Sequence, residues 1–356
     1  MARTKRNFKP YLYVLYIAFI LGVVAFILLG DPQMPTLGDA LRKVRLPWLI
    51  PAVIGIMGFW FFDACTIHRL LIFVGRRIRW ASALKVSLVG HFYAAITPCS
   101  TGSQPAQIVY LRRWGVMAAD STPVLVGKFL LWQVVEGLLA TIAIPFCWNR
   151  LNDGLLAVAL LGYVLNAMAA AGGILAVIKP GWVQGICRFF IRLGLKLHIL
   201  KDEKRWLDMV DAFIAQYRVS IRALFDQRKK TVQAFFLGAG QILSYFLITY
   251  FIYLACTGAA FTLGSLMEIL LMQSVLTMSV TFIPVPGASG TSEGGFYLFF
   301  GQVFPADMML AAMLLWRTVT YYFNLFGGLA VVVADTVQTG IARRKGKASE
   351  APPEQS

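Results

Sequence analysis

Apolar runs alternate with polar interruptions along the whole chain, and their lengths sort them into two kinds. Six runs are long: residues 11–29, 47–75, 122–147, 154–178, 231–257 and 307–336. Each supplies the roughly 20 residues that a helix needs to cross hydrocarbon. Two others are broken. The first runs over 84–97, stops at Thr97-Pro-Cys-Ser-Thr-Gly-Ser-Gln-Pro105 and resumes over 106–111. The second runs over 265–283, stops at Pro284-Val-Pro-Gly-Ala-Ser-Gly-Thr-Ser-Glu293 and resumes over 294–304. Proline and glycine break a helix at both places, and the resumed arms are too short to cross. The pattern predicts an all-α integral membrane fold with six full spans and two broken re-entrant helical hairpins, each entering and leaving on one side. The competing arrangement makes each broken segment two short, tilted spans. At membrane depth, freed backbone and a carboxylate such as Glu293 are tolerated only inside protein or along a wet cavity.

Composition agrees. The 356 residues are 58% hydrophobic and 14% charged, with mean hydropathy +0.68, where soluble domains are about 25% charged. One polytopic membrane domain is expected over 1–340, with halves at 11–150 and 154–338 and a disordered tail at 341–356. The first apolar run is long for a signal peptide and no small-residue cleavage site follows it, so an uncleaved first span is expected. The five cysteines form no C-x-x-C pair, and His68, His91 and His198 are scattered. No metal site, disulfide framework or cofactor is predicted. The net charge of +16 resembles that of a nucleic-acid binder until its placement is examined. With the N-terminus in the cytoplasm, 26 Lys and Arg residues fall in inner segments and four, Arg42, Lys43, Arg45 and Arg150, in outer loops. This bias is the positive-inside pattern. It predicts a cytoplasmic girdle facing anionic inner-leaflet lipid rather than nucleic acid, with both termini cytoplasmic. Trp48, Trp80, Trp114, Trp148 and Trp182 sit at predicted span ends, as belt residues do. Within the polar insert at 180–230, Trp206, Val210, Phe213, Tyr217, Ile221 and Leu224 recur at helical spacing. That predicts an amphipathic helix lying on the inner leaflet or on the bundle.

A single constant shift of the chain superposes the two breaks: Pro98 falls on Pro286, Gly102 on Gly290, Ser103 on Thr291 and Gln104 on Ser292. Under the same shift Lys128 lands one position from Arg317, and Glu136 on Asn324. With reversed flanking spans, this is an inverted-topology pseudo-repeat, a transporter arrangement in which broken helices meet at mid-depth. Both resumed arms read as helix starts, and helix N-termini suit phosphate. Gly102, Ser103, Gln104, Gly290, Thr291, Ser292 and Glu293, with Lys128 and Arg317 as cations, are therefore the candidate substrate-binding residues. Asp63, Arg69 and Glu136 are candidates for gating or ion pairing. Two readings stand for several of these. Lys128, near the start of its span, either snorkels to the interface or faces the site. Glu136 either serves the site or only pairs with Lys128. Arg69 and His68 are either headgroup anchors or site residues. No catalytic residues are singled out.

The run His91-Phe-Tyr-Ala-Ala-Ile-Thr-Pro-Cys-Ser-Thr-Gly-Ser-Gln-Pro-Ala-Gln107, followed by Tyr110-Leu-Arg-Arg113, resembles the first signature of the lysylphosphatidylglycerol synthase transmembrane family. Pro284–Phe296 resembles the second. The likeness covers roughly residues 10–340, and departs mildly at Gly102-Ser103 and Thr291-Ser292, where glycines or small residues are usual. It implies a flippase-like module of the bacterial inner membrane that translocates an aminoacyl-phosphatidylglycerol or polyprenyl-phosphate lipid between leaflets. The alternative it implies is phosphatidylglycerol lysyltransferase activity, or a membrane accessory subunit of that enzyme. The cytosolic domain that transfers lysine in full-length relatives is expected to be absent from these residues. Membrane phospholipid is the expected partner, with a homo-oligomer left open. Glu293→Gln and Arg317→Ala are expected to abolish transport without loss of folding.

Overall fold

The structure, a computed structural model, describes residues 34–148, 150–196, 203–225 and 228–349. The predicted span at 11–29 lies outside the described residues. Every regular element among the described residues is helical. A short amphipathic helix, α1 (Met34–Lys43), leads through a Pro47 turn into α2 (Leu49–Phe73). Next come α3 (Trp80–Ile96), the first break, α4 (Ser103–Arg113), α5 (Ala118–Cys147) and α6 (Asp153–Ile178). The insert contributes α7 (Pro180–Lys196) and α8 (Glu203–Phe225). The second half is α9 (Arg228–Thr257), α10 (Leu263–Thr281), the second break, α11 (Thr291–Phe300) and α12 (Met309–Arg317). A π-turn at Thr318–Tyr322 joins α12 to α13 (Phe323–Ser349). This last helix runs past residue 341, where the sequence predicts the start of a disordered tail; residues 350–356 lie outside the described residues.

Among the described residues, six helices are long and apolar enough to cross a membrane: Leu46–Phe73, Ala118–Cys147, Asp153–Leu175, Lys229–Thr257, Leu263–Thr281 and Met309–Gln338. Five coincide with predicted spans. The sixth is the first arm of the second broken segment. At 19 residues it has the length of a crossing helix, so length does not distinguish it as a re-entrant arm. The resumed arms do stand apart. At 11 and 10 residues, α4 and α11 span about 15 Å at 1.5 Å per residue, half of a hydrocarbon core.

The pseudo-repeat is visible in the packing. Helices α2 and α9 pair along their lengths, while α3 packs on α13 and α10 packs on α5, so each first arm lies on the long helix of the other half. Gly328 permits the first exchange: a Cβ there would stand 2.4 Å from both Leu88 O and Phe92 Cβ. Ion pairs fix the directions. At one end Arg76 Nε binds Asp120 Oδ2, at the start of α5, at 2.8 Å, and Lys85 and Arg113 bind Asp335. At the other end Arg150, just beyond α5, pairs with Glu268 at the start of α10, and Lys43 Nζ binds Asp307 Oδ2 at 2.9 Å. The arms α3 and α10 thus start at opposite ends of the bundle.

The insert docks on the bundle. Ile214, Tyr217, Ile221 and Leu224 of α8 are buried, the last three in one cluster with Ile67, Leu70 and Leu71 of α2. Asp120 Oδ1 accepts hydrogen bonds from Gln216 Nε2 and Ser220 Oγ, both at 2.8 Å. The apolar stripe of α8 therefore serves protein–protein packing, and Asp120, buried with three partners, orients it.

Candidate functional site

Two short turns of the same make interrupt the arms. At Pro98–Ser100 the backbone turns left-handed at Cys99 and Ser100, with φ of 48° and 55°; at Pro286–Ala288 it does so at Gly287 and Ala288, with φ of 60° and 49°. The offset from Pro98 to Pro286, where the turns start, equals that from Ser103 to Thr291, where the following helices start. The turns are packed against each other. Cys99 Sγ contacts Phe282 O at 3.8 Å, and Tyr321 Oη, from the π-turn, donates to Ala95 O at 3.3 Å. A Cβ on Gly287 would sit 2.8 Å from Ala95 O and 2.3 Å from the Tyr321 ring. With its positive φ, this position admits little besides glycine.

Where the turns meet, two cavities adjoin and share His91, Cys99, Ser100 and Thr277 in their walls. The larger, about 530 Å³, is faced by Asp63, Lys128, Gln104, Gln107, Gln133 and Gln241, with Ser100, Thr101 and Ser103 from the first break. The smaller, about 220 Å³, is faced by Arg317, Tyr245, Gln273, Thr320, Tyr321 and Asn324.

Each cavity holds one largely buried cation paired with a carboxylate. In the larger, Lys128 Nζ lies 2.8 Å from Asp63 Oδ1 and 3.1 Å from Oδ2. Asp63 is fully buried and also accepts from Ser87 Oγ at 2.6 Å and Gln241 Nε2 at 3.1 Å. Burial of an ion pair in a medium of low dielectric is sustained only when the remaining lone pairs are met, and here they are met from α3 and α9. In the smaller cavity, Arg317 Nε donates to Glu293 Oε1 at 2.7 Å and an Nη to Gly287 O at 3.1 Å. Its guanidinium carbon lies 4.4 Å from the Tyr321 ring centroid. Glu293 Oε2 accepts from Gly290 N at 2.7 Å, so the amide just ahead of α11 is bound by that helix's own carboxylate, with a positive φ of 82° at Gly290.

These contacts sort the candidate residues. Ser103, Gln104 and Lys128 reach the larger cavity, as does Asp63. Ser292 and Arg317 reach the smaller. Arg317 binds Glu293 and the carbonyl of the second break. These two contacts give Arg317→Ala an expected cost in stability beside the expected loss of transport. Gly102 donates its amide to Thr97 Oγ1 at 2.9 Å, and Thr291 Oγ1 donates to Ala288 O; both act inside their own turns. Lys128 pairs with Asp63 rather than with Glu136, because α2 and α5 face each other there. Glu136 is buried two turns on, with Ser274 Oγ 3.4 Å from Oε1 and no hydrogen-bond partner for Oε2. Arg69 is exposed and belongs to neither wall. Asn324 accepts from Trp60 Nε1 at 2.7 Å, tying α13 to α2.

Several positions at the site are not singled out as candidates by a reading of the sequence. His91, with no other histidine near it along the chain, stands 3.4 Å from Asp63. Gln241 and Asp120 carry no local pattern that marks them; each meets partners far along the chain.

Residues 13–328 match the family described as Lysylphosphatidylglycerol synthase TM region. A protein of Archaeoglobus fulgidus described as a UPF0104 membrane protein is 22% identical over 310 residues, which is 80% of this chain and 86% of the relative. The matched segment runs through both breaks, both cavities and the two ion pairs, and this multi-pass membrane protein belongs to the lysylphosphatidylglycerol synthase TM region family.

Proposed function

We propose that this protein translocates a phosphate-bearing lipid between leaflets, with the headgroup passing through the paired cavities while the acyl chains stay in the bilayer. The lipid classes that fit are aminoacyl-phosphatidylglycerol and polyprenyl phosphate. The observation that carries the reading is the larger cavity. Its volume of about 530 Å³ lies within the range of small-molecule sites, and its wall offers one ammonium group, Lys128, with hydroxyls at Ser100, Thr101 and Ser103. In addition α4 begins without a side-chain cap, so its positive dipole end is available to an anion. The second tip is self-capped by Glu293 and supports the first. Two arms that begin at opposite ends and meet at their breaks suit alternating exposure of one fixed site. On this reading the two breaks are re-entrant, the membrane is the bacterial inner membrane, and both termini face the cytoplasm.

The test is dithionite bleaching of fluorescent phosphatidylglycerol in proteoliposomes of the purified chain. Translocation above protein-free vesicles is expected, with at least a tenfold loss in Lys128→Ala. No acceleration by the wild-type protein would sink the reading. Formation of lysyl-lipid by this chain alone, from lysyl-tRNA and phosphatidylglycerol, would replace it with the transferase reading.

A further inference from the structure

His91 lies in the wall shared by the two cavities. Its Nε2 is buried, makes no hydrogen bond, and stands 3.4 Å from Asp63 Oδ2. The ring is packed against Phe59, with centroids 4.6 Å apart, beside the carboxylate. With a neutral imidazole the charges cancel: Asp63 against Lys128, and Glu293 against Arg317. A phosphodiester, with one negative charge, would then enter a site with no spare positive charge and compete with Asp63 for Lys128. A protonated imidazole changes both facts. It leaves a surplus of one positive charge, and it supplies Asp63 with a second cation so that Lys128 can turn to the phosphate.

We propose that His91 binds the proton that accompanies the headgroup phosphate, so that lipid and proton occupy the site together. The inference rests on the transport reading above and adds its coupling ion. Linkage makes the effect reciprocal: the proton favours the phosphate and the phosphate favours the proton. The other titratable or charged groups around His91 are Asp63 on α2, Lys128 on α5, Tyr245 on α9, Cys99 in the first break, and Tyr321 with Arg317 at the π-turn. The phenols and the thiol are ordinarily neutral near pH 7, and Asp, Lys and Arg are ordinarily charged. Glu136, on α5, is turned toward Ser274 of α10.

The sign follows. Translocation is high where the imidazole is protonated and falls as pH rises, by roughly tenfold per unit on the upper limb, because the protonated fraction falls that way. The experiment measures the initial rate of fluorescent phosphatidylglycerol translocation from pH 5 to 8.5, equal on both sides of the vesicle. His91→Gln is expected to be slow with no pH slope. His91→Lys, with a fixed charge, is expected to be fast with no slope. A wild-type rate that is substantial but independent of pH overturns the coupling while leaving transport standing, as does a wild-type slope retained in His91→Gln. A second measurement needs no variant: with phosphatidylglycerol loaded in one leaflet of wild-type vesicles, a trapped pH-sensitive dye is expected to report protons moving with the lipid. Lipid movement without a dye response overturns the proposal, and a wild-type protein that moves no lipid at any pH overturns it together with the reading beneath it.

Discussion

The two breaks share a backbone and differ in where their charge goes. At the second, Glu293 spends one oxygen on the amide just ahead of its own helix and the other on Arg317, whose guanidinium also grips Gly287 O. Nothing is left over, and the turn is held by charge from within. At the first, the position matching Glu293 is Pro105, and the turn is held by neutral contacts: Thr97 Oγ1 accepts from Gly102 N and donates to Tyr93 O. The cation nearby, Lys128, is bound by a carboxylate on another helix that has two further hydrogen-bond donors. One half of the pseudo-repeat is a self-contained buttress, and the other presents an exchangeable ion pair to a roomy cavity. An inverted repeat does not have to function symmetrically. A carboxylate stands at Glu293 where the other copy has Pro105, and Asp63 falls on Phe251 under the same shift, so the two copies carry their charge at different places.

This contrast breaks most readily at Arg317. Removing one partner of a buried pair strands the other, at a cost of about 3 kcal/mol, the low end of the usual range because Glu293 keeps some exposure. Arg317→Ala is therefore expected to lower the unfolding midpoint in detergent sharply, and a change under about 1 kcal/mol, the scale of an exposed pair, would mean that the second tip is not held by charge. Lys128→Ala strands the fully buried Asp63, which keeps only Ser87 and Gln241 as neutral donors, and is expected to cost about 3 kcal/mol as well. Its larger effect is on lipid translocation. A Lys128→Ala protein unchanged in transport per folded molecule would reverse the assignment of the two halves. Gly287→Ala comes next. The new Cβ meets the Ala95 carbonyl, in the last turn of α3, at positive φ, which is expected to cost about 2–3 kcal/mol in the same unfolding measurement. The smallest effect is expected at Gly102→Ala. There φ is −75° and the neighbour is the Thr97 side chain, which can rotate away for about 1 kcal/mol, the worth of the hydrogen bond it gives up. Equal losses at Gly102 and Gly287 would show that the two turns are equally constrained.

Much of this was legible along the chain. Helix lengths, the two breaks and their constant offset follow from runs of apolar residues and from proline and glycine, all of them local signals. The positions of Lys128, Arg317, Asp63 and Glu293 as unusual charges in apolar surroundings were legible for the same reason. Their partners were not. Asp63 and Lys128 are 65 residues apart, and His91 lies between them in sequence; spacing alone made Glu136, two turns along the same helix, the natural partner for Lys128. The insert shows the same limit. Its amphipathic stripe is written in the sequence, but a stripe of that kind fits a membrane surface and a protein groove equally well. The buried carboxylate of Asp120 chose the groove.

By itself the sequence determined what hydrophobic length and backbone chemistry determine: an all-helical membrane protein whose arms stop twice, at matching places. The tertiary structure alone decided which charges meet. A buried ionic group costs several kcal/mol unless it is paired, and for Asp63 and Arg317 the partner is selected by which helices cross at that depth and not by distance along the chain. The crossing of α2, α3, α5 and α9 gives Asp63 to Lys128 and places His91 beside them. The start of α11 gives Glu293 to Arg317. That choice, made in space, is what separates two breaks that the sequence presents as copies.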